Sequence, residues 1–310
     1  MVNMSPLSAK ERKRSNSKQK DSGEPIMPIP DSAPKDIPNH YQLGKPYMIW
    51  DYLDENGELL QKVCRFSTED GKEDRPLTYR KFKDGKREWR YKGLDKPRPI
   101  YGLDRLAAMP DVPVIICEGE KAADAAQEIF SDYVAITTPN GAGSANCADI
   151  TPLKGRDIII WPDNDKGGIG YKDQLIQLLR HRATTISVVE ILEEFPEKWD
   201  LADEMPDGLN SDILRDMLDN TTLIPNPLDN LTERVGKDHA VAFQEEIINA
   251  LSDLKKVDRG GYEWLRNELK TKARLRVSQL DAYMKESGKL DESVDLDHLE
   301  YATQIIEEIG

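Results

Sequence analysis

The stretch IIIWPDNDKGGIGYKD, residues 158–173, carries an apolar run directly into two aspartates, Asp163 and Asp165. Three isoleucines followed by a tryptophan are typical of a strand that is buried on both faces of a parallel sheet. Pro162 is expected to end this strand. Because open parallel sheets bind their ligands at the carboxyl ends of the strands, we expect both aspartates at the functional edge of such a sheet. Their spacing of two residues points both side chains to the same side.

The neighbouring segments repeat the alternation of strand and helix. Further buried strands are predicted for VPVIIC (112–117), YVAITT (133–138) and TTISVVEIL (184–192), and helices for EKAADAAQEIF (120–130) and GYKDQLIQLLRHR (170–182). Alternation at this spacing predicts an α/β domain with a parallel sheet over residues 109–222. The first of its strands ends at Glu118, so a third acid is expected at the same edge of the sheet.

The remaining chain divides by composition into four further segments. Residues 1–40 are basic and rich in proline, which predicts a disordered leader because too little apolar surface is available for burial. Residues 41–108 alternate as short strands do, with a hairpin signal at Asn56-Gly57, and predict a small, mainly β domain. A proline-broken linker follows at 223–234. Residues 235–310 predict a helical domain, either a plain bundle or a helix-turn-helix.

The overall composition excludes several classes of protein. The chain has 310 residues, a net charge of -14, 38% hydrophobic residues and three separated cysteines without a CxxC pair. A zinc ribbon or a disulfide framework is therefore not expected, and a reducing cytoplasm is the default location. No apolar run approaches the roughly 20 residues that cross a bilayer, so we predict no membrane association. The polar, basic start lacks the apolar core of a secretion signal.

Positive charge is concentrated between residues 75 and 98, where aromatic residues are interleaved with cations. Such a mixture suits nucleic acid, because cations bind phosphates while rings stack on bases. The alternative is a solvated hairpin whose aromatic rings turn inward. The candidate nucleic-acid or nucleotide contacts are Arg75, Arg80, Lys81, Arg87, Trp89, Arg90 and Lys92, together with Lys121 and Lys166, which lie next to the acids.

The acids suit a hard divalent cation. Like charges at one edge repel each other unless a cation lies among them, and oxygen ligands without histidine or thiolate favour Mg²⁺ or Mn²⁺. A calcium loop is excluded because Gly167 and Gln174 occupy ligand positions. No phosphate-binding GxxxxGK[ST] motif is present. A dinucleotide fingerprint at Gly141 and Gly143 remains an alternative, but it leaves two of the three acids without a role.

Four motifs in this order resemble the Toprim domain of DnaG-type primases, phage primase-helicases, type IA and II topoisomerases and some nucleases. They are CEGEKAADAA (117–126), TTPNGAGSA (137–145), IIIWPDND (158–165) and KWDLADEMPDG (198–208). The pattern is most similar to Toprim proteins of phages and mobile elements. The β unit fits the same group. The helical tail resembles the segment that in such proteins leads into a helicase or ATPase module.

The resemblance implies roles for individual residues. Glu118 matches the glutamate that is proposed as general acid or base in the family, and Asp163 and Asp165 match the paired aspartates that hold the metal. Asp200 resembles the first acid of a further motif and joins the implied metal ligands, while Asp203 is a looser match. One departure matters, because DnaG-type primases carry another acid where this chain has alanine.

That alanine is Ala122, and Glu120 or Asp124 could substitute for the missing acid. The resemblance implies a Toprim-type α/β fold and a Mg²⁺-dependent primase-like nucleotidyltransferase that uses nucleotides on a single-stranded DNA template. A replicative helicase or ATPase, in cis or in trans, is the implied partner. Two alternatives stay open: a non-catalytic DNA-binding or helicase-docking accessory, and a Toprim nuclease. A topoisomerase is not expected, because too little chain remains for its strand-passage domain.

Overall fold

The computed structural model describes residues 22–286, except residues 70, 140 and 142. The chain divides into two compact units. The first contains the chain up to Gln177 and the segment Ser187–Thr222, and the second contains Leu178–Ile186 and the chain from Leu223 onward. Two sheets and the helices around one of them make up most of the first unit.

An antiparallel sheet comes first in the chain. Its strands are β1 (Glu24–Pro25), β2 (Met48–Leu53), β3 (Leu59–Thr68), β4 (Gly71–Lys81) and β5 (Arg87–Arg90). The order is β1-β4-β3-β2, and β5 also pairs with β4. The turn between β2 and β3 contains the predicted Asn56-Gly57, where Gly57 has a φ of 79°. Only glycine adopts this conformation without strain, so the sequence signal and the observed turn agree.

Residues 24–40 pack against this sheet, which corrects the prediction of a disordered leader for that part of the chain. Strand β1 pairs with the end of β4, and the Trp89 indole nitrogen donates a hydrogen bond to the Pro34 carbonyl at 2.7 Å. Ile29 and Ala33 are buried in the same core. Although the prolines prevent regular structure, these apolar side chains pack against one face of the antiparallel sheet. The rest of the leader, residues 1–21, lies outside the described residues.

A parallel sheet follows, as the strand pattern predicts. Its strands are β6 (Val114–Cys117), β7 (Val134–Thr137), β8 (Asp157–Ile160), β9 (Thr185–Val188) and β10 (Thr222–Leu223). The order is β10-β9-β8-β6-β7, and β6 pairs in parallel with both β7 and β8. The helices of the segment 101–222 are α1 (Leu103–Ala108), α2 (Glu120–Ile129), α3 (Lys166–Leu179) and α4 (Ser211–Asp219).

The buried strands explain why this part of the chain reads as continuous apolar runs. Every residue of β6 and β7 is buried, and α2 packs against both strands. Helix α2 approaches closely because its inward face carries Ala122, Ala123 and Ala126. Parallel strands covered on both faces select β-branched residues rather than an alternating pattern. The predicted α/β class with a parallel sheet, flanking helices, a small β-rich part and a helical tail is confirmed.

The second unit has its own helical core. Its helices are α5 (Leu231–Lys237), α6 (Glu245–Val257) and α7 (Arg259–Thr271), and residues 277–286 form α8. Their buried apolar side chains form one cluster that includes Ile248, Leu251 and Leu265. The Asp258 side chain caps α7 by accepting a hydrogen bond from the Gly261 amide at 3.0 Å. Among the described residues, no helix is both long and apolar enough to cross a bilayer.

Candidate acidic site at the edge of the parallel sheet

Glu118 and Asp163 leave the parallel sheet at the same edge. Glu118 directly follows β6, and Asp163 lies three residues after β8. The two strands are neighbours with Ile116 opposite Ile160, so their carboxyl ends coincide. The ladder continues one step further, because the Trp161 amide donates a hydrogen bond to the Ile116 carbonyl at 2.9 Å. Strand register therefore places two acids from distant parts of the sequence side by side.

Most of the predicted acids line one cavity of about 550 Å³. Glu118, Asp163 and Asp200 line it, together with Gly141 from the turn after β7. The opposite wall comes from the antiparallel sheet and mixes charges of both signs. Its charged residues are Arg65, Lys72, Glu73, Asp74 and Arg75. Two of its cations pair with acids of the same wall, Arg65 with Asp74 and Arg75 with Glu73. A cavity that combines carboxylates with cationic side chains is suited to a phosphate-bearing ligand together with a cation.

The acids of this cavity interact strongly with one another. Burial, followed by the nearby charges of Glu118, Asp200 and Asp165, raises the pKa of Asp163 to about 8. Lys72 acts in the opposite direction. Because three other acids act on Asp163, the carboxyl groups form one electrostatic cluster. Such a cluster binds a proton or a cation to relieve the repulsion.

Asp165 has a different place from the other acids. It precedes α3 and caps that helix, because its Oδ1 accepts a hydrogen bond from the Gly168 amide at 2.9 Å. Asp165 does not line the cavity, although its charge acts on Asp163. Its contribution in this structure is to start α3 immediately behind the acid site.

Gly168 is required by the tight turn around Asp163. A Cβ added at Gly168 would lie 2.1 Å from the Asp163 carbonyl oxygen, whereas one added at Gly170 would meet no atom within 4 Å. We expect Gly168→Ala to lower the free energy of unfolding by more than about 2 kcal/mol through this clash. Gly170→Ala should raise it by roughly 0.5–1 kcal/mol, since alanine favours helix. Urea unfolding of both variants tests the contrast, and equal effects would contradict the turn geometry.

A buried tyrosine fixes the strand ends beneath the site. The Tyr171 hydroxyl donates to the Cys117 carbonyl at 3.2 Å and lies 2.9 Å from Thr138 Oγ1. Tyr171 is fully buried and belongs to α3. One side chain thus ties together the ends of β6 and β7 and the helix that follows the aspartates. The sequence shows this tyrosine only as one aromatic residue in a helix, so its role was not predictable.

The structure distinguishes the two acids proposed to substitute for the one missing at Ala122. Asp124 lies outside the cavity and accepts hydrogen bonds from Arg105, Tyr101 and the Trp50 indole. Glu120 lines the cavity and is only 6% exposed, with its Oε1 accepting a hydrogen bond from the Tyr52 hydroxyl at 2.9 Å. Burial raises the pKa of Glu120. Only Glu120 therefore belongs to the acid cavity.

Two of the candidate nucleic-acid contacts are instead part of the fold. Arg80 is 3% exposed, and its guanidinium donates to the Ser22 and Gly23 carbonyls. Trp89 is buried beside Tyr79 at a ring distance of 5.3 Å. Their burial corrects the prediction that they bind nucleic acid, and the alternative of a hairpin with inward aromatic rings describes them. Both residues hold residues 22–40 against the sheet.

The other candidates divide between the cavity and the open surface. Arg75 and Lys121 line the acid cavity. Lys121 also forms an ion pair with Asp203, with Nζ 3.4 Å from Oδ1. The exposed candidates that do not line the cavity are Lys81, Arg87, Arg90, Lys92 and Lys166. Lys72 lines the cavity but lies before the basic stretch, so charge density alone did not reveal it.

The acids of the cavity differ in how well their geometry and their chemistry suit a metal ion. Among the described residues, no three Asp, Glu, His or Cys side chains are placed so that they could share one metal ion. The donor chemistry nevertheless fits Mg²⁺ or Mn²⁺, because Glu118, Asp163 and Asp200 offer oxygen atoms only and repel one another in the absence of a cation. The residues that would hold such an ion are these three, with Asp165 beside them.

Comparison with known proteins gives a family match over part of the chain. The sequence pattern described as "Domain of unknown function (DUF6371)" matches residues 32–164, which include strands β2 to β5 of the antiparallel sheet and the first three parallel strands. No curated protein matches the chain.

Among solved structures, three primases are similar to this chain. A DNA primase domain from Pseudomonas aeruginosa is 13% identical, with coverage of 80% of this chain and 77% of that one and a TM-score of 0.44. The Aquifex aeolicus primase, with its zinc-binding and RNA polymerase domains, is 15% identical at a TM-score of 0.42, and the match covers 77% of this chain. The chain spans 54% of that primase chain.

The third is a DnaG primase catalytic domain bound to single-stranded DNA. It is 10% identical at a TM-score of 0.40, with coverage of 73% of this chain and 68% of that one. At these identities and scores, the likeness assigns neither a fold nor an activity to this chain.

Proposed function

We propose that this chain is a primase-like Toprim protein that transfers nucleotides onto a growing strand on a single-stranded DNA template, with Mg²⁺ as cofactor. The observation that carries the proposal is the common cavity of Glu118, Asp163 and Asp200, which three separate segments bring together opposite Lys72 and Arg75. The wall with Lys72 and Arg75 also carries Glu73 and Asp74, which pair with Arg75 and Arg65. A cavity that combines carboxylates with cationic side chains matches the needs of a metal-bound triphosphate.

Each side chain has a task in the proposed reaction. Asp163 and Asp200 hold the ion, and Lys72 and Arg75 bind phosphate oxygens from the opposite wall. Mg²⁺, when bound, neutralises charge on the reacting phosphates. Glu118 accepts the proton of the attacking 3'-hydroxyl. The oxygen then forms a bond to the α-phosphorus while the bond to pyrophosphate breaks.

Primer synthesis tests the proposal directly. Labelled nucleoside triphosphates, single-stranded DNA and Mg²⁺ should give short new oligonucleotides with the full chain, and Asp163→Asn should lower the rate at least about 100-fold by removing charge stabilisation at the phosphates. Asp173→Asn serves as the control, since Asp173 is 61% exposed on α3 and lies outside the cavity. Absence of new oligonucleotides with the unaltered chain would contradict a self-sufficient primase.

Two alternatives have specific support. Ala122 in place of an acid favours a non-catalytic accessory that binds DNA or docks a helicase, and retained DNA binding without any product would indicate that role. The same acid cavity could cleave a phosphodiester, in which case degradation of the template would identify a Toprim nuclease. One incubation therefore separates all three functions.

The proposal extends to the biological setting of the chain. Its motifs favour the Toprim group of phages and mobile elements, and its helical tail favours a replicative helicase or ATPase as partner, in cis or in trans. The solved structures include bacteriophage T7 primase domains of gp4 subunits in contact with a DNA polymerase. We propose a corresponding replication role in the cytoplasm. Co-purification with a replicative helicase would test the partnership.

A further inference from the structure

Asn164, between the two aspartates, connects the acid site to a distant loop. Its side-chain nitrogen donates hydrogen bonds to the carbonyls of Phe195 at 2.9 Å and Pro196 at 3.0 Å. Its backbone adds two more, since its amide donates to the Trp199 carbonyl at 3.3 Å and its carbonyl accepts from the Lys198 amide at 2.9 Å. A single residue thus makes four hydrogen bonds to residues 195–199.

This loop carries Asp200 to the cavity without help from regular structure. Residues 189–203 contain neither a helix nor a strand. Lys198 has a φ of 69°, a conformation that non-glycine residues rarely adopt. The amide of the same residue donates the hydrogen bond to the Asn164 carbonyl. The backbone accepts this conformation because the hydrogen bonds on both sides determine its path. Asp200 follows two residues later and lines the cavity beside Asp163.

The chemistry of the contact requires an amide at this position. The two carbonyls of the loop both accept hydrogen bonds, so the side chain at residue 164 must donate. Aspartate has the same shape but would present an oxygen to both carbonyls when ionised. The other hydrogen-bond donors in this turn are backbone amides, which do not depend on the side chain at residue 164. The need for asparagine is therefore separate from the need for the flanking acids.

We propose that Asn164 is a positioning residue of the acid site, which holds Asp200 next to Asp163 and thereby strengthens binding of a divalent cation. The inference rests on the proposed function for its choice of ligand. Groups that orient metal ligands commonly change metal affinity 10- to 100-fold when they are removed. Asn164→Ala is expected to weaken Mn²⁺ binding by about tenfold or more.

A double-variant cycle separates positioning from a general loss of structure. Mn²⁺ binding to the full chain is measured by electron paramagnetic resonance for the unaltered chain, Asn164→Ala, Asp200→Asn and the double variant. If Asn164 acts through Asp200, Asn164→Ala should change affinity less than about twofold in the Asp200→Asn background. The proposal would be overturned if Asn164→Ala lowered Mn²⁺ affinity equally in the unaltered chain and in the Asp200→Asn variant. It would also be overturned if Asn164→Ala caused no loss of affinity in the unaltered chain.

A matched control comes from another asparagine of the same unit. Asn210 caps α4 by accepting hydrogen bonds from the amides of Asp212 and Ile213, so Asn210→Ala removes a comparable set of contacts away from the cavity. It should cost stability while leaving Mn²⁺ affinity unchanged. A weakened affinity in this control would assign the effect of Asn164→Ala to general destabilisation and would count against positioning.

A metal-free measurement keeps the two proposals distinguishable. If the unaltered chain shows no saturable Mn²⁺ binding, the proposed function fails. The role of Asn164 is then tested by the energetic coupling between Asp163 and Asp200 in the folded chain. A cycle of Asp163→Asn and Asp200→Asn in urea unfolding should show coupled stabilities, because the two side chains line the same cavity. This coupling should disappear when Asn164 is alanine. Its persistence would overturn the positioning role.

Discussion

Asp163→Asn is expected to abolish saturable Mg²⁺ binding and at the same time to raise the free energy of unfolding in metal-free buffer at neutral pH. The cause is the raised pKa of Asp163, about 8, which burial and the charges of Glu118, Asp200 and Asp165 produce. An aspartate in the unfolded chain ionises near pH 3.9. Asparagine has a similar volume and no titrating carboxyl group, so the variant folds without having to bind a proton at this position.

The sign of the pH dependence follows from these two pKa values. Between about pH 4 and pH 8 the folded chain keeps the Asp163 proton and the unfolded chain loses it, so this group makes folding less favourable as pH rises. Below about pH 4, Asp163 is protonated in both the folded and the unfolded chain, so Asp163→Asn should not raise the free energy of unfolding. The gain should grow to on the order of 2–3 kcal/mol near pH 8, less than the about 5 kcal/mol that the full difference between the two pKa values would give, because the cluster can relax.

Urea unfolding across this pH range, with a chelator and again with Mg²⁺, measures both parts of the prediction. Mg²⁺ should stabilise the unaltered chain, since an ion that binds only the folded state shifts the equilibrium toward it. It should leave Asp163→Asn unchanged. Asp173→Asn, on the exposed side of α3, should follow the unaltered chain in both series. A variant that is less stable than the unaltered chain at pH 8 would show that Asp163 is not buried among acids.

Much of the architecture was predictable because it is local in the sequence. Each buried strand of the parallel sheet is a short apolar run, and α2 and α3 follow β6 and β8 within a few residues, so the alternation appears without knowledge of contacts. The convergence of Glu118 and Asp163 was also predictable, because parallel neighbours end at the same edge. The hairpin at Gly57 was signalled by a residue that tolerates positive φ.

The features that were not predictable depend on contacts between segments far apart in the chain. Trp89 and Arg80 belong to a basic, aromatic stretch, but their side chains are buried because residues 22–40 cover that face of the sheet. No local pattern shows which segment will cover which face. Asp200 could be predicted only from the resemblance, since the loop that carries it has no periodic pattern. Its position depends on hydrogen bonds to Asn164 that become visible only in the folded chain.

The loop before Asp200 is anchored by an aromatic pair, which leads to a second large effect. Trp199 is 3% exposed, stacks against Phe195 at a ring distance of 4.3 Å, and donates from its indole nitrogen to the Glu204 carbonyl at 3.1 Å. We expect Trp199→Ala to lower the free energy of unfolding by about 3–5 kcal/mol, since it leaves a cavity in the core and a carbonyl without its donor.

Trp264→Ala provides the matched comparison for this change. Trp264 lies in the second unit and is 66% exposed, so its removal should change stability by less than about 0.5 kcal/mol. Urea unfolding followed by circular dichroism compares the two variants at equal protein concentration. Trp199→Ala keeps the backbone carbonyl that accepts the hydrogen bond of the Asn164 amide, but it removes the ring contact with Phe195 and the indole hydrogen bond to Glu204 that anchor the loop. Its loss should therefore weaken Mn²⁺ binding even under conditions where the variant remains folded. A folded Trp199→Ala chain with unchanged Mn²⁺ affinity would mean that the loop reaches the acid site without its aromatic anchor, and the hydrogen bonds of Asn164 alone would then have to position Asp200.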